Sequence, residues 1–171
     1  MSAERAPPAS LRPYLPSDAA LCAEIFRSAI EELTGDDYDE AQREAWASRG
    51  EDVEAFGARL AGALTLVALV QGGPIGFASL KGETIDMLFV APAVAGRGIG
   101  AMLLDALVKL AGARGVKKLT SEVSDTAKPT FERQGFAAER RNIVRKGDQW
   151  LANTTMVKTL AGAASPGEPK Q

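Results

Sequence analysis

A strand-forming run at residues 83–90 passes through Ala91-Pro92-Ala93-Val94-Ala95 and Gly96-Arg97-Gly98-Ile99-Gly100 into a long apolar helix. This succession constrains the fold more than any other feature. Between residues 98 and 113 the apolar positions Ile99, Leu103, Leu104, Leu107, Leu110 and Ala111 recur at helical spacing, with Gly115 beyond the end as a C-cap. The first N–H groups of such a helix have no internal partner and carry the positive end of its dipole. Gly96, Gly98 and Gly100 let an anion approach those amides without meeting a Cβ. A diphosphate is the natural ligand; the alternative is a tight turn that needs glycine for packing alone. The dinucleotide fingerprint G-x-G-x-x-G sits almost directly after its strand, which the Pro-containing spacer fits poorly, and the Walker pattern is missing.

The remaining pattern predicts one mixed α/β domain without internal repeats. Residues 11–15 read as a short strand, and Ser17 is placed to cap a helix carrying Leu21, Ile25, Ile30 and Leu33, stopped by Gly35. Helices over 39–48 and 52–60 follow. Strands at 64–70, 75–80 and 83–90, the first two separated by Gly72-Gly73-Pro74, read as an antiparallel meander. After the long helix come a strand at 119–123, a helix at 126–134 ended by Gly135, and strands at 137–145 and 150–158 around Gly147-Asp148. Residues 1–10 and 161–171 lack periodicity and read as frayed tails, leaving 11–160 as the folded unit.

Composition narrows the chemistry. Twenty Lys and Arg against 22 Asp and Glu give a net charge of −2, so no basic balance points to nucleic acid. The single Cys22 cannot form an internal disulfide, residues 1–21 lack a secretory pattern, and the apolar run 61–70 is about half a membrane span. These features fit a reducing cytoplasm with no membrane partner. The chain has no His, which removes the commonest neutral-pH general base and most zinc sites. No metal is expected, and the chemistry falls to carboxylates, backbone or substrate.

Ala95-Gly96-Arg97-Gly98-Ile99-Gly100 behind Leu88-Phe89-Val90-Ala91-Pro92 resembles the [QR]-x-x-G-x-[GA] signature of the GNAT superfamily of acyl-coenzyme A N-acyltransferases. The likeness continues through Ser124-Asp125-Thr126-Ala127 and Phe131-Glu132-Arg133-Gln134-Gly135-Phe136. Asp37 to Gln42, with Ala45-Trp46, and Asn153 to Met156 further resemble the YafP-like subgroup. The resemblance implies a mixed, mainly antiparallel twisted sheet with helices on both faces, and acetyl transfer from acetyl-coenzyme A to an amine of a small molecule or a peptide. It implies that backbone groups of Leu88, Phe89 and Val90 pair with the pantetheine arm and thioester, and that Gly96, Arg97, Gly98, Ile99, Gly100 and Ala101 hold the pyrophosphate. Ser124 stands where many relatives place an arm-contacting Asn. Ala95 replaces the usual Gln or Arg, a loss of about 0.5–1.5 kcal/mol.

Phe131 falls where many relatives have a Tyr that protonates the departing thiolate, and a phenyl ring donates no proton. Tyr38 or a water is then the donor, or the thiolate leaves as an anion; Tyr38 also suits packing with a wet hydroxyl. For the general base, Asp86 is placed about 10 Å from Phe89 and Glu83 about 20 Å, with Glu122 a third candidate. Strict alternation puts Asp86 on the face of Leu88 and Val90 unless a bulge intervenes. A structural Asp bonded to backbone or a cation is the alternative. Ten acids against Arg43 and Arg49 between Glu31 and Glu54 suit a cationic acceptor, or simply a solvated helix face. Trp46 and Trp150 suit an acceptor pocket, or a core or homodimer contact. Cys22 reads as a small buried residue. A binding module that senses acyl-coenzyme A without turnover is the rival reading.

Overall fold

Alternating apolar residues punctuated by turn glycines build the sheet. The computed structural model describes residues 8–160. Its strands are β1 (Ala9–Pro13), β2 (Leu64–Val70), β3 (Gly73–Lys81), β4 (Thr84–Val90), β5 (Lys118–Ser124), β6 (Ala137–Lys146) and β7 (Gln149–Thr159). They form one sheet in the order β1-β2-β3-β4-β5-β7-β6, in which only the β4–β5 neighbours are parallel. β1 starts at Ala9, two residues before the expected strand, because Ala9 and Ser10 pair with Val70 and Leu69. The rest of the expected tails, residues 1–7 and 161–171, lies outside the described residues.

The helices are α1 (Ala19–Leu33), α2 (Glu40–Ala47), α3 (Val53–Ala61), α4 (Ile99–Ala113) and α5 (Lys128–Arg133). Ser17 does not cap α1. Pro16 opens a 3-10 turn that leaves Ser17 exposed, and Asp18 does the local work instead: its carboxylate accepts the Leu15 N–H at 2.8 Å and two Arg12 guanidinium N–H groups at 2.7 and 2.9 Å. Charge-assisted bonds of this kind outweigh what a serine hydroxyl offers. α1 ends at Leu33 with Thr34 rather than Gly35 as its C-cap, the Thr34 hydroxyl donating to Ile30 O at 2.6 Å. Asp39 and Gln42 close a reciprocal capping box on α2.

Helices cover both faces. On one, Phe26 and Ile30 of α1 and Phe56 and Leu60 of α3 pack on Val67, Phe77 and Met87. On the other, Leu103, Leu104 and Leu107 of α4 pack on Ala78, Leu80, Ile85 and Leu119. Each such side chain, fully buried, stabilises the fold by about 1.5–3 kcal/mol. Gly76 sets how closely α4 approaches: a Cβ there would lie 3.1 Å from Phe89 O and 3.3 Å from side-chain atoms of Ile99 and Leu103. Among the described residues no helix is long and apolar enough to cross a membrane.

Candidate active site

β4 and β5 touch only where they begin. Thr84 faces Thr120, the Thr120 N–H donates to Glu83 O at 3.0 Å, and the Ser121 hydroxyl donates to Ile85 O at 2.9 Å. The strands then part around a cleft of about 500 Å³, walled by Asp86 to Phe89 on one side and Ser121 to Ser124 on the other. A parallel pair can separate this way when helices on both faces, rather than ladder hydrogen bonds, hold its strands in place.

The β4 edge at this parting keeps unused backbone groups. The Ala91 N–H donates to Ile75 O at 2.8 Å, so residue 91 bonds toward β3. Antiparallel alternation turns Phe89 the same way and points the N–H and C=O of Leu88 and Val90 at the cleft. The expectation that Phe89 offers its backbone to a ligand is corrected accordingly. Its ring lines the cleft, packed among Phe26, Phe77 and Trp46 at centroid separations of 4.8, 5.8 and 6.1 Å.

A bulge relocates Asp86. Ser79 pairs with Met87 while Leu80 pairs with Ile85, which leaves Asp86 as an extra residue on β4. The alternation slips by one there, and Asp86 joins the face of Met87 and Phe89 rather than that of Leu88 and Val90. This turns it toward α3, where Arg59 grips it through two hydrogen bonds of 2.9 and 3.0 Å. Asp86 lines the cleft as one half of an ion pair, not as the unpaired carboxylate a general base requires. Glu83 lies before the parting, its carbonyl tied to β5. Glu122 projects from β5 into the cleft and has no hydrogen-bond partner among the described residues.

The mouth of α4 has the anticipated geometry. Gly96 and Gly98 adopt φ of 78° and 82°, the left-handed region that other residues avoid, and Gly98 is the N-cap. The first amide of this turn with a backbone partner is that of Met102, bonded to Gly98 O at 3.0 Å. Among the described residues the amides of Gly96, Arg97, Gly98, Ile99, Gly100 and Ala101 have none, giving one row of donors at the dipole's positive end. Val90 links this mouth to the cleft edge, its Cγ2 lying 3.7 Å from where a Gly100 Cβ would sit.

Tyr38 is not wet. Only 3% exposed, its hydroxyl donates to Ala152 O at 2.7 Å and accepts the Asp125 N–H at 2.9 Å, with its ring edge-on to Trp46 at 5.6 Å. Burial above all, with the charges of Asp125 and Asp37, pushes the phenol above its ordinary value against the opposing Asp125 N–H bond. Tyr38 therefore stands in the wall of the cleft as a neutral phenol. Ser124 turns its hydroxyl back to accept the Ala127 N–H at 3.1 Å. Phe131 packs against Phe136 at 5.1 Å and forms part of the cleft wall. Trp46 lines the cleft; Trp150 does not, standing exposed with Arg145 over its ring at 5.8 Å. Cys22 is fully buried, which pushes its thiol up to about 12, and stays protonated away from the cleft.

The acid-rich segment contributes no carboxylate to the cleft. From residues 31–54 the cleft takes Tyr38, Trp46 and Arg49; of the acids of that segment Asp37 accepts the Thr126 hydroxyl at 2.7 Å, Asp39 and Asp52 cap helices, and Glu31, Glu40, Glu44 and Glu51 line a separate groove with Arg27 and Arg43. Alongside stand Arg59, Arg140 and Lys146, none of which the sequence pattern singled out. Lys146 ends β6 next to the turn that packs on α2, where a Cβ at Gly147 would lie 3.7 Å from Ala45 Cβ. Burial first, then the charges of Arg49 and Arg59, push the Lys146 ammonium below the ordinary lysine value, with Glu122 and Asp86 pulling the other way. Residues about a hundred positions apart meet here, and no local spacing announces that.

A family model described as an acetyltransferase (GNAT) domain matches residues 34–160. The uncharacterized N-acetyltransferase YafP of Escherichia coli (strain K12) is 34% identical over 146 residues, 85% of this chain and 93% of that protein. The crystal structure of a GCN5-related N-acetyltransferase from Rhodopseudomonas palustris is 54% identical, with a TM-score of 0.87 over 94% of this chain and 99% of that one. The PaiA N-acetyltransferase of Thermoplasma acidophilum, solved in complex with coenzyme A, is 18% identical and has the same fold, with a TM-score of 0.73 over 90% and 99% of the two chains. A parted parallel strand pair, a row of unpartnered amides at the helix beside it and these likenesses together place the chain among the GNAT acetyltransferases, as a YafP-like member.

Proposed function

We propose that the protein moves an acetyl group from acetyl-coenzyme A to a primary amine by direct transfer in a ternary complex. The observation that carries this reading is the alignment of two unused donor sets: the α4 mouth from Gly96 to Ala101 and the β4 edge at Leu88 and Val90. The mouth suits a pyrophosphate, with Arg97 adding charge at the exposed rim. The β4 edge suits the amides of a pantetheine arm, which takes the place that β5 gives up. PaiA, of the same fold, binds coenzyme A.

The thioester carbonyl then lies against the N–H of Leu88 or Val90, which stabilises the oxyanion as the amine attacks. Holding both reactants in one cleft replaces a bimolecular encounter with a positioned attack. Glu122 takes a proton through water from the acceptor's ammonium, the free amine then attacks to form the new C–N bond, and the C–S bond breaks. The neutral phenol of Tyr38 exchanges its bond with Ala152 O for one to the departing sulfur and protonates it, and the second proton lost by the nitrogen returns through water to the Tyr38 oxygen. Phe131 walls the arm, and Ser124 holds the loop that shapes it. No role falls to a metal. Incubation with acetyl-coenzyme A and a panel of amines, read by release of free thiol, tests the reading. Release that depends on the amine is expected; tight coenzyme binding with no release across the panel would favour an acyl-coenzyme A sensor.

A further inference from the structure

Resting on that reading, we infer that the acceptor amine also carries an anionic group, a carboxylate in the simplest case, which docks on Arg49 and Lys146. The inference names the substrate class of the cleft described above, and it reverses the cationic acceptor that the acid-rich segment suggested.

Charge arrangement carries it. Arg49, Arg59 and Lys146 line one end of the cleft together with Asp86 and Glu122. Arg59 and Asp86 neutralise each other. Of what is left, Arg49 and Lys146 are positive and Glu122 is negative, and among the described residues none of the three makes a hydrogen bond or ion pair. Two unpaired cations crowded beside a third are mutually unfavourable, and the charges of Arg49 and Arg59 add to the burial that chiefly depresses the Lys146 ammonium. An anion set between them relieves it, and a guanidinium offers the fork that a carboxylate fits. Glu122, on the opposite strand, is left to face the ammonium of the same ligand. Cation, cation and carboxylate thus complement a zwitterion with its amine directed at the parting of β4 and β5.

The coenzyme's own phosphates do not account for these cations. The amides at the mouth of α4 belong to the sheet face on which α4 packs, whereas Arg59 pairs with Asp86 on the face covered by α1 and α3. A cleft of about 500 Å³, shared with the pantetheine arm, suits a small molecule of amino-acid size.

Matched pairs test the inference: phenylalanine against phenethylamine, lysine against cadaverine and serine against ethanolamine, each followed by coenzyme A release. The carboxylated member of at least one pair is expected to show a kcat/KM at least about tenfold above its decarboxylated partner, the worth of one charge-assisted contact. Arg49→Gln and Lys146→Gln should each remove most of that preference by raising KM while leaving the calorimetric affinity for coenzyme A unchanged. As a readout independent of turnover and of amine basicity, N-acetylphenylalanine should bind the coenzyme A complex of the protein more tightly than N-acetylphenethylamine does. Binding of coenzyme A with no preference for the carboxylated member in either measurement, or a preference that survives both substitutions, overturns the inference alone. Absence of coenzyme A binding overturns the coenzyme reading beneath it and the inference with it.

Discussion

Asp86 and Arg59 hold each other through two parallel hydrogen bonds of 2.9 and 3.0 Å across the gap between β4 and α3, at the point where a β-bulge turns Asp86 away from the face that strict alternation assigns it. A carboxylate so engaged fixes the wall of the cleft and leaves proton transfer to another group. Both partners are partly exposed, at 41% and 23% of their side-chain surfaces, so the pair stabilises the fold by no more than about 1 kcal/mol. Asp86→Asn should therefore cost little stability and keep most of the parental rate. Glu122→Gln should lower the rate about a hundredfold or more, the usual worth of a positioned base. Steady-state thiol release, with urea denaturation of both variants, checks this. A loss of that size in Asp86→Asn with the parental rate kept in Glu122→Gln would return the base to Asp86.

The two glycine positions at the mouth of α4 should respond differently to alanine. At Gly98 nothing crowds a Cβ, but φ is 82°, and a residue with a side chain pays about 1–2 kcal/mol there. At Gly100 the nearest atoms to a Cβ, on Val90 and Thr130, lie at 3.7 and 3.9 Å, ordinary contact distances. Gly98→Ala should lower urea stability by about that amount and weaken coenzyme A binding; Gly100→Ala should leave stability unchanged, so that any loss of coenzyme affinity there reads the room a Cβ takes from the anion. Arg97→Glu isolates the electrostatic part: its side chain is exposed, so affinity for coenzyme A should fall while stability holds. Calorimetric titration alongside urea denaturation separates the three cases.

Most of the architecture was legible because it rests on local periodicity. The strand spacing, the Gly147 turn and the helix running from Ile99 past Leu107 all follow from residues close in sequence. The position of Asp86 was not legible, since the bulge depends on pairing with Ser79 and Leu80 that no window around residue 86 encodes. Ser17 misled for a related reason: a hydroxyl before a helix is a sound cap signal, yet Arg12 and Leu15 supply Asp18 with stronger bonds. The mouth of α4 lay open to sequence reasoning because its three glycines fall at alternate positions, 96, 98 and 100, directly before the apolar helix. The cationic end of the cleft did not, since Arg49, Arg59 and Lys146 are assembled by tertiary packing alone.

Arg12 and Asp18 should leave a signature in acid. The two hydrogen bonds from Arg12, helped by the Leu15 N–H, hold the Asp18 carboxyl below its ordinary value despite its burial. A depressed native value means that the stabilisation is complete above the unfolded value, about 3.9, and fades as pH falls through the lower native one. Asp18→Asn should thus be less stable than the parent by about 1.5–3 kcal/mol at pH 7, with the two urea curves converging as pH drops from about 4 toward 2. A stability difference that persists undiminished at pH 2 would assign the effect to packing rather than to charge.

Tyr38→Phe is the sharpest test of how the sulfur leaves. The substitution keeps the ring against Trp46 but strips Ala152 O of its donor and the Asp125 N–H of its acceptor, so stability should fall by about 1–3 kcal/mol. If the phenol also protonates the thiolate, the rate falls further. A thiol resembling that of free cysteine, near 8.5, leaves unprotonated at neutral pH at a cost of roughly 2 kcal/mol, or about 10- to 100-fold in kcat. That loss should be confined to kcat, since KM for acetyl-coenzyme A depends on the α4 mouth and the β4 edge. Because burial holds the phenol above its ordinary value, the parent rate should show no alkaline fall from Tyr38 up to about pH 10. A variant that folds, binds coenzyme A with parental affinity and turns over at the parental rate would remove Tyr38 from the chemistry and leave thiolate departure, or a water, as the route.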